Sequence, residues 1–395
     1  MKPSVDRVSS LDVCRSLAIL MVIAVHISQT FQIPAPLFPV ASLGRFGVQL
    51  FFIVSAYTMC LMWTKRDGEE ARLYRFYARR LLRIAPLFWL FIPVYLLVNG
   101  LGPSRWAPEG IGVSTIAMTL TLTHSMAPDT MNAIVPGGWS ISDEMAFYLC
   151  FPLLAALALK GSARATILTA AVWHFAYSVI TSDMRPTVPL FADFLYLNPL
   201  NQMPAFLMGI AAFQNRDRGA FAEWPLLLLW LALAIAAVAT GLTPIQSGGF
   251  IIVVIALYAV FVAIERMPAA CSKLIPGAAA MIGQRSYGIY LSHFLVISLL
   301  EILLGNGSLG YLPFATVFIL TVFASYAIAA KVEDIVNRAT APIRRMLVDD
   351  RHAVGRAKPV PGEAFAAAES DPRDGAGLLS PWRASGTGPS APRRT

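Results

Sequence analysis

The alternation of apolar and polar stretches along the chain predicts a bundle of membrane-spanning helices. Ten apolar runs approach the roughly 20 residues that an α-helix needs to cross a bilayer. They cover residues 11–27, 44–63, 81–99, 139–159, 164–181, 198–213, 224–241, 247–265, 283–304 and 312–330. The strands of a membrane barrel would give shorter segments of alternating hydrophobicity. The pattern therefore predicts an all-α, polytopic membrane protein.

An eleventh apolar run, rich in threonine, covers residues 111–126. Basic residues favour the cytoplasmic side of a membrane, and the loop 64–83 alone holds seven of them. If the run 111–126 crossed the membrane, the next three basic loops would lie outside. If it only dips into the bilayer or lies along its interface, those loops, the basic residues after 330 and the N-terminus all lie inside. We therefore expect ten spans, one re-entrant or interfacial segment, and both termini in the cytoplasm. The three loops hold Lys160 and Arg164, Arg216 and Arg218, and Arg266 and Lys273.

Composition agrees with this class and adds a domain boundary. The chain is 56% hydrophobic and only 14% charged, which is too apolar for a soluble domain of this length. Its net charge of +8 comes from lysines and arginines at helix ends and in the tail, so nothing indicates a nucleic-acid partner. From about residue 348 the sequence is rich in Ala, Pro, Gly, Ser and Arg without periodicity. We expect a transmembrane domain over 1–347 and a disordered cytoplasmic tail over 348–395.

The first apolar run carries three ionisable residues, Asp12, Arg15 and His26, on one helix face. Arg15 and His26 are eleven positions apart, and Asp12 and His26 are two heptads apart. A charge in the middle of a membrane costs about 3 kcal/mol even on the lenient insertion scale. This stripe must therefore face protein or water, and such residues inside a membrane indicate a functional site.

Each member of the stripe has a chemical role and a structural alternative. His26 titrates near neutral pH and suits a general base that activates a hydroxyl, or it packs between helices through hydrogen bonds. Arg15 can hold a carboxylate, a phosphate or a developing oxyanion. It can equally form an ion pair with Asp12, three residues back, and the two roles are compatible.

The run 139–159 opens with polar residues that include Ser142 and Glu144, which we expect at the outer membrane boundary. Glu144 would then lie at the depth of His26, where a carboxylate orients the imidazole or binds sugar hydroxyls. The alternative is a helix cap, because Ser140 followed three residues later by an acid resembles a capping box.

We also expect Asp12 and Ser142 to bind substrate, and two further groups are candidates for binding. Arg80 and Arg83 lie one turn apart at the cytoplasmic mouth of the third span and suit the phosphates of a nucleotide-like donor. The positive-inside rule alone would also place them there. Tyr290 and His293 fall inside the ninth span, where they line the donor path or pack helices together. The four cysteines are scattered without the spacing of a metal site, so we expect no metal.

Five segments in order resemble the acyltransferase-3 family of integral membrane acyltransferases, over roughly residues 8–335. This family includes bacterial O-acetylases of surface polysaccharides and of some antibiotics. The segments are Arg15 with His26, the sequence GVQLFF, the group Arg79, Arg80, Arg83 and Pro86, the segment 139–144, and the segment 287–293. Ala56 stands where a Gly is common in the family, and Asp143 precedes Glu144 where relatives often carry two glutamates.

The resemblance implies an enzyme of the bacterial inner membrane that moves an acyl group, usually acetyl from acetyl-CoA, to a hydroxyl at the outer face. It supports Arg15, His26, Arg80, Arg83 and Glu144 as site residues. The implied acceptor is an exopolysaccharide, an O-antigen or a lipid-linked sugar, while the acceptor's identity, succinyl in place of acetyl, and the oligomeric state stay open. A transporter or flippase that uses the charged stripe as a substrate path is the alternative, and a passive scaffold is a third.

These expectations give a hypothetical geometry. The nucleotide would stay at Arg80 and Arg83 while the pantetheine arm runs along the first span. Arg15 would position that arm, and His26 would deprotonate the acceptor. Eleven residues separate Arg15 from His26 by about 16 Å, a distance that an extended arm spans.

Overall fold

In a computed structural model, the chain is described over residues 5–182, 184, 189–219, 222–243, 245–267, 277–305 and 311–349. This part is helical. Its α-helices are α1 Val5–Thr30, α2 Phe38–Ser42, α3 Gly47–Lys65, α4 Arg72–Asn99, α5 Val113–Leu120, α6 Trp139–Ala158, α7 Ala163–Ser182, α8 Pro189–Leu197, α9 Pro199–Gln214, α10 Trp224–Ala239, α11 Ile245–Glu265, α12 Gly277–Gln284, α13 Ser286–Leu304 and α14 Tyr311–Arg344. The predicted tail from residue 348 lies outside the described residues except for its first two positions, so it stays a prediction.

Among the described residues, eight helices are long and apolar enough to cross a membrane, namely α1, α3, α4, α6, α7, α11, α13 and α14. Helices α9 and α10 have 16 residues each. Each is therefore about 24 Å long, somewhat less than the hydrocarbon core of a bilayer. The chain is a polytopic, all-helical membrane protein, as the sequence predicts. The count of ten spans and the cytoplasmic placement of both termini stay predictions.

The threonine-rich run 111–126 is broken into short pieces that follow α4. Helix α5 has only eight residues, about 12 Å, and is too short to cross. The residues just before α5 are joined to those just after α4, because the Ile111 amide donates to the Leu101 carbonyl over 2.9 Å. The far end of α5 lies beside the middle of α4, where the Trp89 indole donates to the Leu120 carbonyl over 2.9 Å. This geometry supports a re-entrant segment, which returns to begin α6.

Helix α3 is buried along most of its length and packs against α1 and α9. Glycines allow these close approaches, as small residues commonly do between membrane helices. A Cβ added to Gly47 would lie 2.4 Å from the Ala18 carbonyl oxygen of α1. The Gln49 side chain, buried in α3, donates to Gln202 of α9 over 2.9 Å. Helices α1, α3 and α9 are thus held at short distance, which fixes where α1 presents its polar stripe.

Replacing Gly209 of α9 by alanine tests this packing. A Cβ there would lie 2.3 Å from the Ile53 carbonyl oxygen of α3, so the helices must separate. We expect Gly209→Ala to lower the free energy of unfolding by about 1–3 kcal/mol, measured as a lower thermal midpoint in detergent micelles. Gly249→Ala is the matched control, because an added Cβ at that helical glycine meets no atom within 4 Å. Equal midpoints for the two variants would contradict the packing described here.

Candidate active site

A cavity in the middle of the bundle brings together residues from α1, α3, α4, α6 and α13. It holds about 700 Å³ of space not filled by atoms, part of it open. We call it the central cavity, and the polar members of its wall used below are Arg15, Ser55, Arg80, Arg83, Glu144, Tyr148 and Tyr290. Five of the residues singled out in the sequence therefore meet in one place: Arg15, Arg80, Arg83, Glu144 and Tyr290.

Arg15 reaches the central cavity from α1 and is held by two hydrogen bonds. One Nη donates to Asp12 Oδ1 over 2.7 Å, and the other donates to Thr58 Oγ1 of α3 over 3.1 Å. The ion pair with Asp12 is thus confirmed, while the role of Arg15 in holding a substrate group stays a prediction. Asp12 is buried and absent from the cavity wall, so it pairs with Arg15 instead of facing a substrate as we predicted.

Glu144 is the carboxylate of the central cavity. Its Oε1 accepts from the Ser55 hydroxyl over 2.5 Å and from the Tyr148 hydroxyl one turn further along α6. These partners differ from the imidazole that we predicted. Helix α6 begins deep in the bundle, since Trp139 packs edge-on against Phe52 of α3, with ring centres 6.2 Å apart. Glu144 therefore lies among the arginines instead of beside His26.

His26 lies outside the wall of the central cavity, in an aromatic group. Its Nδ1 bonds Gln29 Oε1 over 2.8 Å, and its ring centre lies 5.3 Å from that of His293 and 4.3 Å from that of Phe294. In the tautomer in which Gln29 Oε1 accepts this bond, Nδ1 carries the hydrogen and the lone pair lies on Nε2.

Tyr290 stands between these two regions. It lines the central cavity, and its ring centre lies 5.6 Å from that of His293. Its hydroxyl bonds the Ser140 hydroxyl and the Gly137 carbonyl, each over 2.9 Å. His293 donates from Nδ1 to the Tyr290 carbonyl over 2.6 Å, and its buried Nε2 has no hydrogen-bond partner in the described part of the chain. Tyr290 therefore contacts both the central cavity and the histidine pair.

Ser142 and Asp143 are turned away from the central cavity and are fully buried. The Ser142 hydroxyl accepts from the amide and the hydroxyl of Ser125 over 3.1 and 2.8 Å, so it fastens the run 111–126 to α6, and its role in substrate binding stays a prediction. Neither carboxylate oxygen of Asp143 has a hydrogen-bond partner among the residues that the structure describes. The adjacent acids Asp143 and Glu144 thus have different surroundings, because Glu144 accepts two hydrogen bonds and Asp143 accepts none from the described residues.

A second cavity of about 1050 Å³ adjoins the first, since Arg80 and Arg83 line both. We call it the basic cavity. Its wall includes Trp63, Arg66, Arg72, Arg79, Arg80, Arg83 and Arg344. Arg79 is neutralised by a two-bond contact with Glu69, at 2.9 and 2.6 Å, which lowers the pKa of that carboxyl group. Arg80 and Arg83 belong to both cavities and lie where the two meet.

Sequence reasoning missed several members of these walls. Tyr148 follows Glu144 by four residues, a spacing that places both on one helix face. Ser55 and Thr58 are three apart on α3, but apolar neighbours conceal them. Arg344 comes from the far end of α14, and no local pattern connects it to Arg80. In the described ranges, no group of three or more His, Cys, Asp or Glu residues is placed to hold a metal ion.

The similarity of this chain to known proteins indicates which class of reaction it belongs to. Residues 8–330 match a family described as "Acyltransferase domain". Acyltransferase MdmB of Streptomyces mycarofaciens is 30% identical over 336 residues, which cover 79% of this chain and 84% of that protein. Exopolysaccharide production protein ExoZ of Rhizobium meliloti (strain 1021) is 24% identical over 274 residues, covering 65% and 78% respectively. No solved structure matches the chain. The family match includes every central-cavity residue named above.

The contrast between Asp143 and Glu144 can be tested by the same chemical change at both positions. Asp143→Asn removes a carboxylate that has no hydrogen bond in buried surroundings, so the thermal midpoint is expected to stay equal or rise. Glu144→Gln removes the negative charge that faces three arginines, and the midpoint is expected to fall. Differential scanning fluorimetry of both variants in the same detergent measures this, and a lower midpoint for Asp143→Asn than for Glu144→Gln would refute the assignment.

Proposed function

Because the chain belongs to the acyltransferase-3 family and is a membrane acyltransferase, we propose that it transfers acetyl from cytosolic acetyl-CoA to a hydroxyl group of a carbohydrate. The observation that carries the proposal is the junction of the basic and central cavities at Arg80 and Arg83. A donor with an anionic head and a long neutral arm matches a basic opening that leads to a deeper cavity with mixed polarity.

The donor's phosphates would bind in the basic cavity. Guanidinium groups bind phosphate oxygens through paired, charge-assisted hydrogen bonds, and several arginines line this space. The pantetheine arm would then pass between Arg80 and Arg83 into the central cavity. Arg15, fixed by Asp12 and Thr58, offers a rigid donor to the arm or to the thioester carbonyl.

His26 is proposed as the base for the acceptor. With Nδ1 engaged by Gln29, Nε2 takes the proton of the acceptor hydroxyl, and the hydroxyl oxygen forms a bond to the acyl carbon. In the overall reaction the coenzyme leaves as the thiol. The acceptor reaches His26 from the outer side, and the acyl group must pass Tyr290 to meet it.

An exopolysaccharide, an O-antigen or a lipid-linked sugar is the proposed acceptor class, and the bacterial inner membrane is the proposed location. Both relatives are bacterial proteins, and the printed name of one refers to exopolysaccharide production. The alternative from another class is a transporter or flippase with the same charged path. Acetyl-CoA consumption by the purified protein distinguishes them, because transport makes no free coenzyme A.

Substituting the proposed base is the direct test of the mechanism. His26→Ala is expected to lower acetyl transfer by a factor of about 10² to 10⁴, the usual contribution of a general base. His174→Ala is the control, because His174 packs against Trp230 and Phe250 in another part of the bundle and should keep wild-type turnover. Near-normal turnover in His26→Ala protein would assign the base elsewhere, with Glu144 the first alternative.

The donor site is tested through the Michaelis constant. Arg83→Ala is expected to raise KM for acetyl-CoA by about 10- to 100-fold, because a hydrogen bond to a charged phosphate contributes roughly 1.5–3 kcal/mol. The wild-type KM should also rise with salt concentration, and less steeply in the variant. Arg338→Ala is the control, since this exposed arginine of α14 bonds the Asp334 carbonyl and lies outside both cavity walls. Equal KM values for the two variants would contradict the donor site.

A further inference from the structure

Ser55 and Glu144 form a hydroxyl–carboxylate pair on the wall of the central cavity. The Ser55 hydroxyl donates to Glu144 Oε1 over 2.5 Å, and Ser55 is only partly buried. A serine hydroxyl is a weak nucleophile until an adjacent base accepts its proton. The pair therefore has the arrangement of a nucleophile with its base, at the place where a thioester would arrive.

The surroundings supply the other parts that acyl transfer to a hydroxyl needs. The Tyr148 hydroxyl bonds the same carboxylate oxygen and lies 3.3 Å from Ser55 Oγ, so it fixes the orientation of the base. Arg15 and Arg80 line the same cavity. When a hydroxyl attacks a carbonyl carbon, negative charge develops on the carbonyl oxygen, and fixed cations stabilise that charge.

The position of Ser55 also relates the donor to the remote base. Phe51, one turn before Ser55 on α3, packs edge-on against Tyr290 with ring centres 6.3 Å apart. Ser55 and Tyr290 thus line the central cavity, while His26 and His293 are absent from its wall. An arm that enters from the basic cavity reaches Ser55 without displacing Tyr290. The acceptor then meets the acyl group on Ser55 when Tyr290 moves aside.

We propose that Ser55 carries the acyl group as a covalent ester between donor and acceptor. This inference rests on the proposed function and divides it into two steps. In the loading step Glu144 accepts the Ser55 proton while Oγ bonds to the thioester carbonyl carbon. The carbon–sulfur bond then breaks, and the thiolate leaves with the proton from Glu144. The coenzyme departs as the thiol, and Ser55 is an ester.

In the discharge step the acceptor hydroxyl attacks the ester carbonyl carbon while His26 takes its proton. Tyr290 moves aside in this step, so that the acceptor hydroxyl at His26 reaches the ester. The bond between the acyl carbon and Ser55 Oγ breaks, and Oγ regains the proton held by the imidazolium. Atoms and charges balance over the two steps without any further reactant. Loading depends on Ser55 and Glu144, and discharge depends on His26.

The test is intact-mass and peptide mass spectrometry of the purified protein in nanodiscs, incubated with acetyl-CoA and no acceptor. We expect an added 42 Da on Ser55, about one equivalent of free coenzyme A, and removal of the adduct by hydroxylamine. His26→Ala protein should keep the adduct after an acceptor is added, whereas wild-type protein should lose it. Ser55→Ala should form none, and Ser178→Ala, a buried serine of α7 far from the cavity, should load as the wild type does.

The outcomes separate this inference from the proposed function. Transfer of acetyl to an acceptor without an adduct on either wild-type or His26→Ala protein would overturn the covalent carrier and leave the acyltransferase intact. An adduct on Tyr148 or another residue would overturn the assignment to Ser55. The peptide mass spectrum of the wild-type protein alone shows which residue is modified. Absence of both coenzyme release and acceptor product would instead reject the proposed function.

Discussion

The charge of Arg15 inside an apolar bundle is the constraint on which the site depends. An unpaired guanidinium there costs about 3 kcal/mol or more, so the chain must bring it partners. Asp12 supplies the charge from the same helix, and Thr58 supplies an acceptor from α3. This second bond is possible only because α1 and α3 pack closely at Gly47. The close packing of α1 and α3 at Gly47 therefore also fixes the position of Arg15.

The need of buried charges for partners also explains why three arginines and one carboxylate line the central cavity. Arg80 and Arg83 come from α4, and Glu144 comes from α6. The sixth residue of α6, Glu144, lies at the level of Ser55 of α3, which donates to it. Glu144 meets the arginines, and the adjacent acid, Asp143, is buried without a hydrogen bond. The helix face, and not residue type, distinguishes the two, because consecutive residues of an α-helix point about 100° apart.

Sequence patterns predicted which residues face protein, but not how deep each helix lies beside its neighbours. Apolar runs located the spanning helices, and intramembrane charge selected Arg15, Arg80, Arg83 and Glu144, which do meet. No local sequence pattern indicates the axial register between helices, that is, which residues of neighbouring helices lie side by side. For that reason the partners of Glu144 differed from our expectation, and Ser142 and Asp12 proved to contact protein groups instead of the cavity. Ser55 lies within an apolar run and became visible only through its contact with Glu144.

Under the proposed function, His26 and the arginines must not be joined by an open passage, because such a passage across the membrane would leak ions. Tyr290 contacts both regions, and its hydroxyl is held by two hydrogen bonds, each contributing about 1 kcal/mol net. Releasing both bonds would cost about 2 kcal/mol and leave a few per cent of molecules in the released state, since 1.4 kcal/mol corresponds to a tenfold ratio. A Tyr290 side chain that moves in this way would limit steady flow and still let donor and acceptor meet within a catalytic cycle.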